Sequence, residues 1–311
     1  MHPSKFCSLL MIALGLVACG GGGGSNSEDT STEISLNFKP IAGGMDVSCD
    51  TEVSGLGPSA AYSAGFGDIR FFISNIRLYD NDGDEVEFTM DDNDFQLNHE
   101  DGSVALIDFS DTSEGFCELQ GLDEGTPATN SVITGIAADA VSAVSFDVGV
   151  PQLLMKSVIG AGSFEDAPAP LNQLVWSWVG GYRHFIVNFS LMNAENTEML
   201  PNGAFHIGSR SCGGNGGTGV NALEAQDECD FINTPHVDFD NFDPSSDEIA
   251  VDMVAFLANF SDENATAGMA FGLQCHSAPT QGTCVSLFPN FGIDMATGLA
   301  EAESNSVFTV D

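Results

Sequence analysis

The chain has 311 residues, 45 of them acidic and 7 basic, and its formal net charge of −38 is extreme. A balance this acidic excludes binding through nucleic acid phosphates or anionic lipid headgroups, because like charges repel. The sequence has no GxSxG, HExxH or P-loop motif, so we expect a protein that is not an enzyme.

The first residues have the pattern of a bacterial export signal. Lys5 precedes an apolar run, Leu9 to Ala18, that is too short to span a bilayer. The run ends in LVAC and is similar to a lipobox, in which Cys19 becomes a lipidated N-terminus. We therefore expect a signal peptide over 1–18, a flexible Gly/Ser/acidic tether over 19–33 and a domain over 34–311. Gly20 replaces the aspartate typical of inner-membrane retention, which favours a lipid anchor in the outer membrane as the chain's membrane contact, facing the periplasm or the surface.

The body of the chain alternates apolar and polar residues with the period of β-strands. IRFFISNIRLYD ends at a hairpin turn, Asn81-Asp82-Gly83-Asp84, and SVITGIAA, VSAVSFDVGV, HFIVNFSL and AFHIGS read as further strands. Residues 247–257 are the best helical or mixed segment. These patterns predict an all-β fold, a single antiparallel β-sandwich-like domain with few short helices.

Six cysteines remain once Cys7 and Cys19 are set aside. An even number in an exported chain predicts disulfides, and no CxxC spacing suggests a thiolate metal cluster. Local spacing favours two pairs, and the third follows by elimination: Cys212–Cys229, Cys275–Cys284 and Cys49–Cys117.

The aspartates of the hairpin turn raise the alternative of a calcium site. Asp80, Asp82 and Asp84 have the spacing of EF-hand ligands, but Glu85 stands where such a loop needs glycine. A plain turn is the favoured interpretation, and a calcium-stabilised binding module is kept as an alternative function.

Both tryptophans of the chain lie in VWSWVGGYRHF, which spans residues 175 to 185. On one continuous strand, Trp176, Trp178, Tyr182 and His184 share a face. A bulge at the glycine pair would change that phase, and a helical turn before it is a further possibility.

Two histidines lie in predicted strands. His206 alternates with Phe205 and Ile207, which places its imidazole on the opposite face from the two apolar side chains. His184 lies in the strand that begins after the glycine pair. Imidazole suits copper and zinc, although a lone strand histidine is more often a hydrogen-bonded polar residue.

Several segments together resemble the MbnP family, the four-Cys-motif half of the metallo-mystery pair. They occur in the family's order from about Phe66 onward: FGDIRFFISNIRL, ALIDF before Cys117, TNSVITGI, FDVGVP, PLNQLVWSWVGGYRHF, FHIGSRSC and the closing Cys275 and Cys284. The family is similar to the copper-binding proteins CorA and MopE. Its members are periplasmic or surface proteins encoded beside MbnH, a di-haem relative of cytochrome c peroxidases.

The resemblance implies a copper-binding lipoprotein matured by a di-haem MbnH-type partner. That partner oxidises a tryptophan to kynurenine, which here falls on Trp178, the weakly preferred residue, or on Trp176. Copper then binds with help from histidine, and the candidate ligands are His206, His184 and Met155. Met155 is included because GVPQLLMKSV departs from the family's Asn-His at this point, and a thioether is a soft copper ligand. The alternative from another class is a metal-independent interaction or structural lipoprotein.

Overall fold

The chain is folded mainly into β-strands, which confirms the all-β prediction. The computed structural model describes residues 31–111, 115–119, 129–161, 167–177, 181–193, 199–212, 229–260 and 273–311. The strands are β1 (Thr32–Ala42), β2 (Met45–Asp46), β3 (Glu52–Leu56), β4 (Tyr62–Tyr79), β5 (Glu85–Val86), β6 (Phe88–Met90), β7 (Gln96–Leu97), β8 (Val104–Asp108), β9 (Val132–Ala137), β10 (Ala143–Val148), β11 (Val175–Ser177), β12 (Gly181–Asn193), β13 (Met199–Gly208), β14 (His236–Phe239), β15 (Glu248–Asp252), β16 (Gln274–His276), β17 (Phe291–Ile293), β18 (Ala300–Asn305) and β19 (Phe308–Val310). The helices are α1 (Gly115–Leu119), α2 (Gln152–Ala161), α3 (Met253–Phe256) and α4 (Gly282–Leu287), with 3-10 turns at Pro58–Ala60 and Phe288–Asn290.

In the part of the chain that the structure describes, the strands form two large sheets and a β17–β18 pair. The smaller of the two sheets has the order β19-β15-β1-β9-β6, and β2 pairs with β1. The larger sheet has the order β14-β10-β4-β12-β13-β16, with shorter strands attached to β4, β8 and β12. Most pairs are antiparallel, as predicted, but β1–β15 and β13–β16 are parallel. Parallel partners are distant in sequence, so alternation alone does not reveal them.

Phenylalanine rings fill the space between the two large sheets. Phe38 of β1 lies 6.0 Å from both Phe71 of β4 and Phe146 of β10, measured between ring centroids. Phe308 of β19 lies 5.6 Å from Phe71. These rings alternate along their strands with residues that face outward, so the inner faces of both sheets share one apolar core.

The larger sheet is also covered on its outer face. Phe72, Tyr182 and Ile186 pack there against Leu154 and Val158 of α2. The Tyr182 hydroxyl donates a hydrogen bond to the carbonyl of Leu171 at 2.6 Å. Polar side chains on this face of the sheet are therefore removed from water wherever this layer covers them.

Three disulfides form the pairs that the sequence predicts. They join Cys49 to Cys117, Cys212 to Cys229 and Cys275 to Cys284. The Cys275–Cys284 bond ties β16 to α4, which fixes the short last strand of the larger sheet.

Two turn predictions have different outcomes. The aspartate-rich turn is a hairpin, since β5 pairs with the end of β4. The tryptophan segment is not one continuous strand: Val175 of β11 pairs antiparallel with Tyr182 of β12. Gly181, with a φ of 66°, begins the return strand, and this left-handed backbone is why the segment can reverse.

The predicted signal peptide, Cys19 and most of the predicted tether precede residue 31 and so lie outside the described residues. No helix among the described residues is long and apolar enough to cross a membrane.

Candidate metal centre

The parallel pairing of β13 with β16 brings two histidines side by side. His206 and His276 are register partners, and their Nδ1 atoms lie 3.2 Å apart. The ring centroids are 4.9 Å apart with the planes inclined at 61°. We call His206 and His276 the dihistidine pair. It lies on the outer face of the larger sheet, opposite Phe205 and Ile207, as the alternation predicted for His206.

The backbone at the pair is fixed by hydrogen bonds from Ser277 and Gln281. The Ser277 hydroxyl donates to the carbonyl of His206 at 2.9 Å and accepts from the amide of Gly208 at 2.8 Å. The His276 amide donates to Oε1 of Gln281 at 2.6 Å. These contacts and the neighbouring disulfide hold both imidazoles on rigid backbone.

Both imidazoles of the dihistidine pair are held neutral. Burial lowers the pKa of His206 to about 3, with further lowering by the positive charges of Arg183 and Arg70. Burial and then the Arg183 charge also lower the pKa of His276. A neutral imidazole keeps a nitrogen lone pair, which is the form that binds a metal.

The indole of Trp176 lies beside the dihistidine pair. Its ring centroid is 6.2 Å from that of His276. A Cβ built on Gly208 would come within 2.8 Å of Trp176 Cε3, so the indole lies directly over this glycine. Arg183 donates to the carbonyl of Val175 at 3.1 Å and so fastens β11 next to the pair. Trp178, the preferred candidate from sequence, lies outside the described residues.

The dihistidine pair fits a copper ion in donor type and spacing. An ion about 2.0–2.1 Å from two nitrogens that are 3.2 Å apart would make a nitrogen–metal–nitrogen angle of roughly 100–105°, which is close to tetrahedral. Imidazole nitrogen is a preferred copper ligand, and two of them leave room for a third donor. Unmodified Trp176 cannot be that donor because the indole nitrogen carries only a hydrogen.

His184 and Met155, the other ligand candidates, have different surroundings. His184 is fully buried, and its Nδ1 donates to the carbonyl of Asn233 at 3.2 Å. Burial lowers the pKa of His184 to about 4. The Met155 sulfur, in α2, accepts from the Ser209 hydroxyl at 3.7 Å and packs on Gly181. Among the described residues no three His, Cys, Asp or Glu side chains form a group that could hold a metal, so His184 does not join the dihistidine pair in such a group.

The remaining polar candidates are engaged in local contacts. The Asp80 carboxylate accepts from the amides of Asp82 and Asp84 at 2.9 and 3.0 Å, which is the role of an aspartate in a plain turn. His236 is flanked by Asp147 at 2.6 Å and Asp238 at 3.1 Å, and these carboxylates raise its pKa. Neither arrangement belongs to a group of His, Cys, Asp or Glu side chains that could hold a metal in the described part of the chain.

His276 is the site residue that sequence reasoning missed. It follows Cys275 just as His206 follows Phe205, and the two preceding residues both point into the main core. That shared alternation was the available signal, but the parallel pairing that joins the strands links residues 70 apart. Strand alternation gives a side chain's face and not its neighbour, so the partner of His206 was not predictable from either segment alone.

A protein-family model matches most of the chain. The MbnP family model matches residues 31–277, which include Trp176, His206 and His276. The chain belongs to the MbnP family. Among solved structures, MbnP from Methylosinus trichosporium matches with a TM-score of 0.67 at 23% sequence identity, covering 90% of this chain and 98% of that chain. At this identity the likeness to that MbnP structure shows the shared fold. A search of curated proteins found no match.

Proposed function

We propose that this protein is a non-enzymatic, extracytoplasmic copper-binding lipoprotein whose ion is held by the dihistidine pair. The observation that carries the proposal is the 3.2 Å approach of the two Nδ1 atoms on adjoining strands, with Trp176 beside them. Membership of the MbnP family supports the same function. Bound copper would be captured, stored or handed on outside the cytoplasm.

The third donor would be a kynurenine made from Trp176. Two molecules of hydrogen peroxide would supply the oxidising equivalents: the C2–C3 bond of the indole breaks, C2 leaves as formic acid, one water is released, and an aromatic amine and a ketone remain on the side chain. Both new groups have lone pairs that indole nitrogen lacks. The sequence has no CxxCH motif for c-type haem, so a di-haem MbnH-type partner would supply the oxidising centre.

The chain's own residues would place this side chain. Gly208 leaves space for the ring of Trp176, and the Arg183 bond to the Val175 carbonyl holds the strand on which Trp176 lies. The backbone bonds of Ser277 and Gln281 keep His206 and His276 from drifting apart. The protein would therefore supply preorganised donors for the ion.

Mass spectrometry tests the maturation step. The chain is expressed with and without a di-haem partner, and the peptide from Val175 to Arg183 is compared. We expect the partner to cause the gain of one oxygen atom and loss of one carbon atom at Trp176. A Trp176→Phe variant should abolish this change and a Trp178→Phe variant should preserve it. Intact tryptophans in cells that make the active partner would contradict the proposal.

Copper titration tests the dihistidine pair directly. We expect His206→Ala and His276→Ala each to weaken copper binding by at least 100-fold, since each removes one of two histidine donors. His236→Ala is the matched control because His236 is half exposed, lies in β14 and pairs with aspartates instead. If all three variants bound copper with the wild-type affinity, or if none of the proteins bound copper, this site would be excluded and a metal-independent interaction role would be favoured.

A further inference from the structure

We propose, resting on the copper site proposed above, that Asp68 acts through Asn188 to fix the tautomer of His206 and so makes Nδ1 its metal-binding nitrogen. The three side chains lie on neighbouring strands of the larger sheet, β4, β12 and β13. Asn188 is the register partner of Asp68, and His206 is the partner of Ile186, two residues along β12. Asp68 is a positioning residue, because its carboxylate contacts Asn188 and not the imidazole.

The starting point is that Asp68 offers only acceptors. Its side chain is 1% exposed and accepts two hydrogen bonds from Arg70. The Arg70 Nε atom lies 2.8 Å from Oδ1 of Asp68, and Nη2 lies 2.9 Å from Oδ2. The Ser110 hydroxyl also donates to Oδ1 at 2.9 Å. Both oxygens of the Asp68 carboxylate therefore accept hydrogen bonds, as in a bidentate arginine–carboxylate pair, and Asp68 has no hydrogen to give to Asn188.

This acceptor sets the orientation of the Asn188 amide. Asn188 Nδ2 donates to Asp68 Oδ2 at 3.3 Å. The reverse orientation would place the amide oxygen against a carboxylate oxygen, two acceptors with no hydrogen between them. Because Nδ2 faces Asp68, the Oδ1 atom of Asn188 faces His206 Nε2, at 3.0 Å.

The amide oxygen then decides where the imidazole hydrogen lies. An amide oxygen can only accept, so the Nε2 atom of His206 must carry the hydrogen. Its Nδ1 atom is left with a lone pair that faces Nδ1 of His276. In the metal-free protein the His276 Nδ1–H donates to that lone pair, and moving this hydrogen to Nε2 of His276 exposes both nitrogens to one ion.

Replacing Asp68 by asparagine should invert this arrangement. The Arg70 donors would take the new Oδ1, so the new Nδ2 would face Asn188 and turn its amide over. Asn188 would then present a donor to His206, which would move the imidazole hydrogen to Nδ1. Disturbing such a supporting contact typically costs 10- to 100-fold in metal affinity, and we expect a loss of that size.

The test is long-range ¹H–¹⁵N NMR of ¹⁵N-histidine protein without copper, followed by titration with Cu(I) against a chromogenic chelator. We expect the Nε2–H form of His206 in the wild type and the Nδ1–H form in Asp68→Asn. The exchanged pair Asp68→Asn/Asn188→Asp places the carboxylate next to His206, and should restore both the Nε2–H form and copper affinity. Asp147→Asn is the matched control, since Asp147 also accepts from an asparagine, Asn75, but lies in β10 beside His236.

An unchanged Nε2–H form in Asp68→Asn would overturn the proposal. If that variant does not fold, Asn188→Ala gives the same information: a mixture of tautomers supports the assignment and a pure Nε2–H form refutes it. The tautomer is read without metal, so a wild-type protein that binds no copper refutes the copper site alone. Inversion of the tautomer with undiminished copper affinity would refute the role of Asp68 in metal binding.

Discussion

At the scale of single residues, His184 shows what burial does to an ionisable side chain. Its Nδ1 atom donates to the carbonyl of Asn233, while its Nε2 atom has no hydrogen-bond partner among the described residues. A protonated imidazole would have to hold a charge in this apolar layer. The cost of that charge lowers its pKa to about 4.

The burial of His184 should therefore make the folded protein less stable in acid. The unfolded chain takes up a proton near pH 6.5 and the native chain only near pH 4, so stability is complete above 6.5 and falls as pH decreases through this window. The loss is on the order of 3 kcal/mol by pH 4. Urea unfolding at pH 7.5 and 5.0 measures this effect. We expect the free energy of unfolding of His184→Leu to fall less between these two pH values than that of the wild type.

His236 provides a control of opposite sign for that experiment. Its pKa is raised, first by the hydrogen bond to Asp147, so its contribution is present below pH 6.5 and is lost as pH rises through its folded-state pKa. His236→Asn should thus be destabilised at pH 5.0 more than at pH 7.5. The same pH dependence in wild type and His184→Leu would contradict the burial account.

Residue patterns in the sequence predicted part of the site. The alternation of Phe205, His206 and Ile207 gave the correct face for His206 because a strand leaves only two directions. Neither His276 nor the orientation of Asn188 was predictable, since both depend on strands that meet only in the folded sheet. The preference for Trp178 over Trp176 stays a prediction, because Trp178 lies outside the described residues, whereas the ring of Trp176 lies 6.2 Å from that of His276.

At the scale of elements, β16 is the part on which the site most depends. It contributes three residues, carries His276 and, among the described strands, pairs only with β13 at the edge of the larger sheet. So short a strand has few backbone hydrogen bonds of its own. The Cys275–Cys284 bond and the α4 segment it reaches therefore supply much of its order.

Removal of the Cys275–Cys284 disulfide should weaken copper binding while the rest of the chain stays folded. For Cys275→Ser/Cys284→Ser we expect a stability loss of about 2–4 kcal/mol and weaker copper binding, because β16 is released. Thermal unfolding and copper titration measure the two effects. Cys49→Ser/Cys117→Ser is the comparison: it opens a longer loop, with a separation of 68 residues, but neither cysteine belongs to β16 or α4. Equal copper affinity in both variants would show that β16 is held without its disulfide.

Element prediction succeeded where the pattern was local. Hairpins and antiparallel strands were found because alternation and turn residues lie within a few positions of each other. Helix α2 was missed because its apolar run, QLLMKSVIGA, has no polar alternation and too few turns to show a helical period clearly. The tryptophan hairpin was missed as well, since its reversal depends on the backbone conformation at Gly181.

At the scale of the whole molecule, charge is the dominant feature. With a net charge of −38, the native state confines mutually repelling carboxylates that the unfolded chain can separate. The few cations are placed to offset this locally: Lys39 of β1 contacts Glu248 at 2.7 Å and Asp311 at 2.5 Å. Screening by salt should therefore favour the native state.

We expect the melting temperature to rise as NaCl increases from 20 to 500 mM, because the screening length falls from about 20 Å to about 4 Å. A gain of about 1 kcal/mol corresponds to roughly 2–4 °C for a domain of this class. KCl should act equally, since screening does not depend on the cation. A rise with calcium at far lower concentration would instead support the calcium-stabilised alternative.

The parallel pairing of β13 with β16 also has a consequence for the order in which the site can assemble. His206 and His276 are separated by 70 positions, so a chain that has emerged only as far as His206 has one half of the dihistidine pair. Copper that met such a chain would find one exposed imidazole and no partner for it. On the copper site proposed above, metal loading would wait until β16 has paired with β13, and a bound ion would mark a chain in which this pairing is complete.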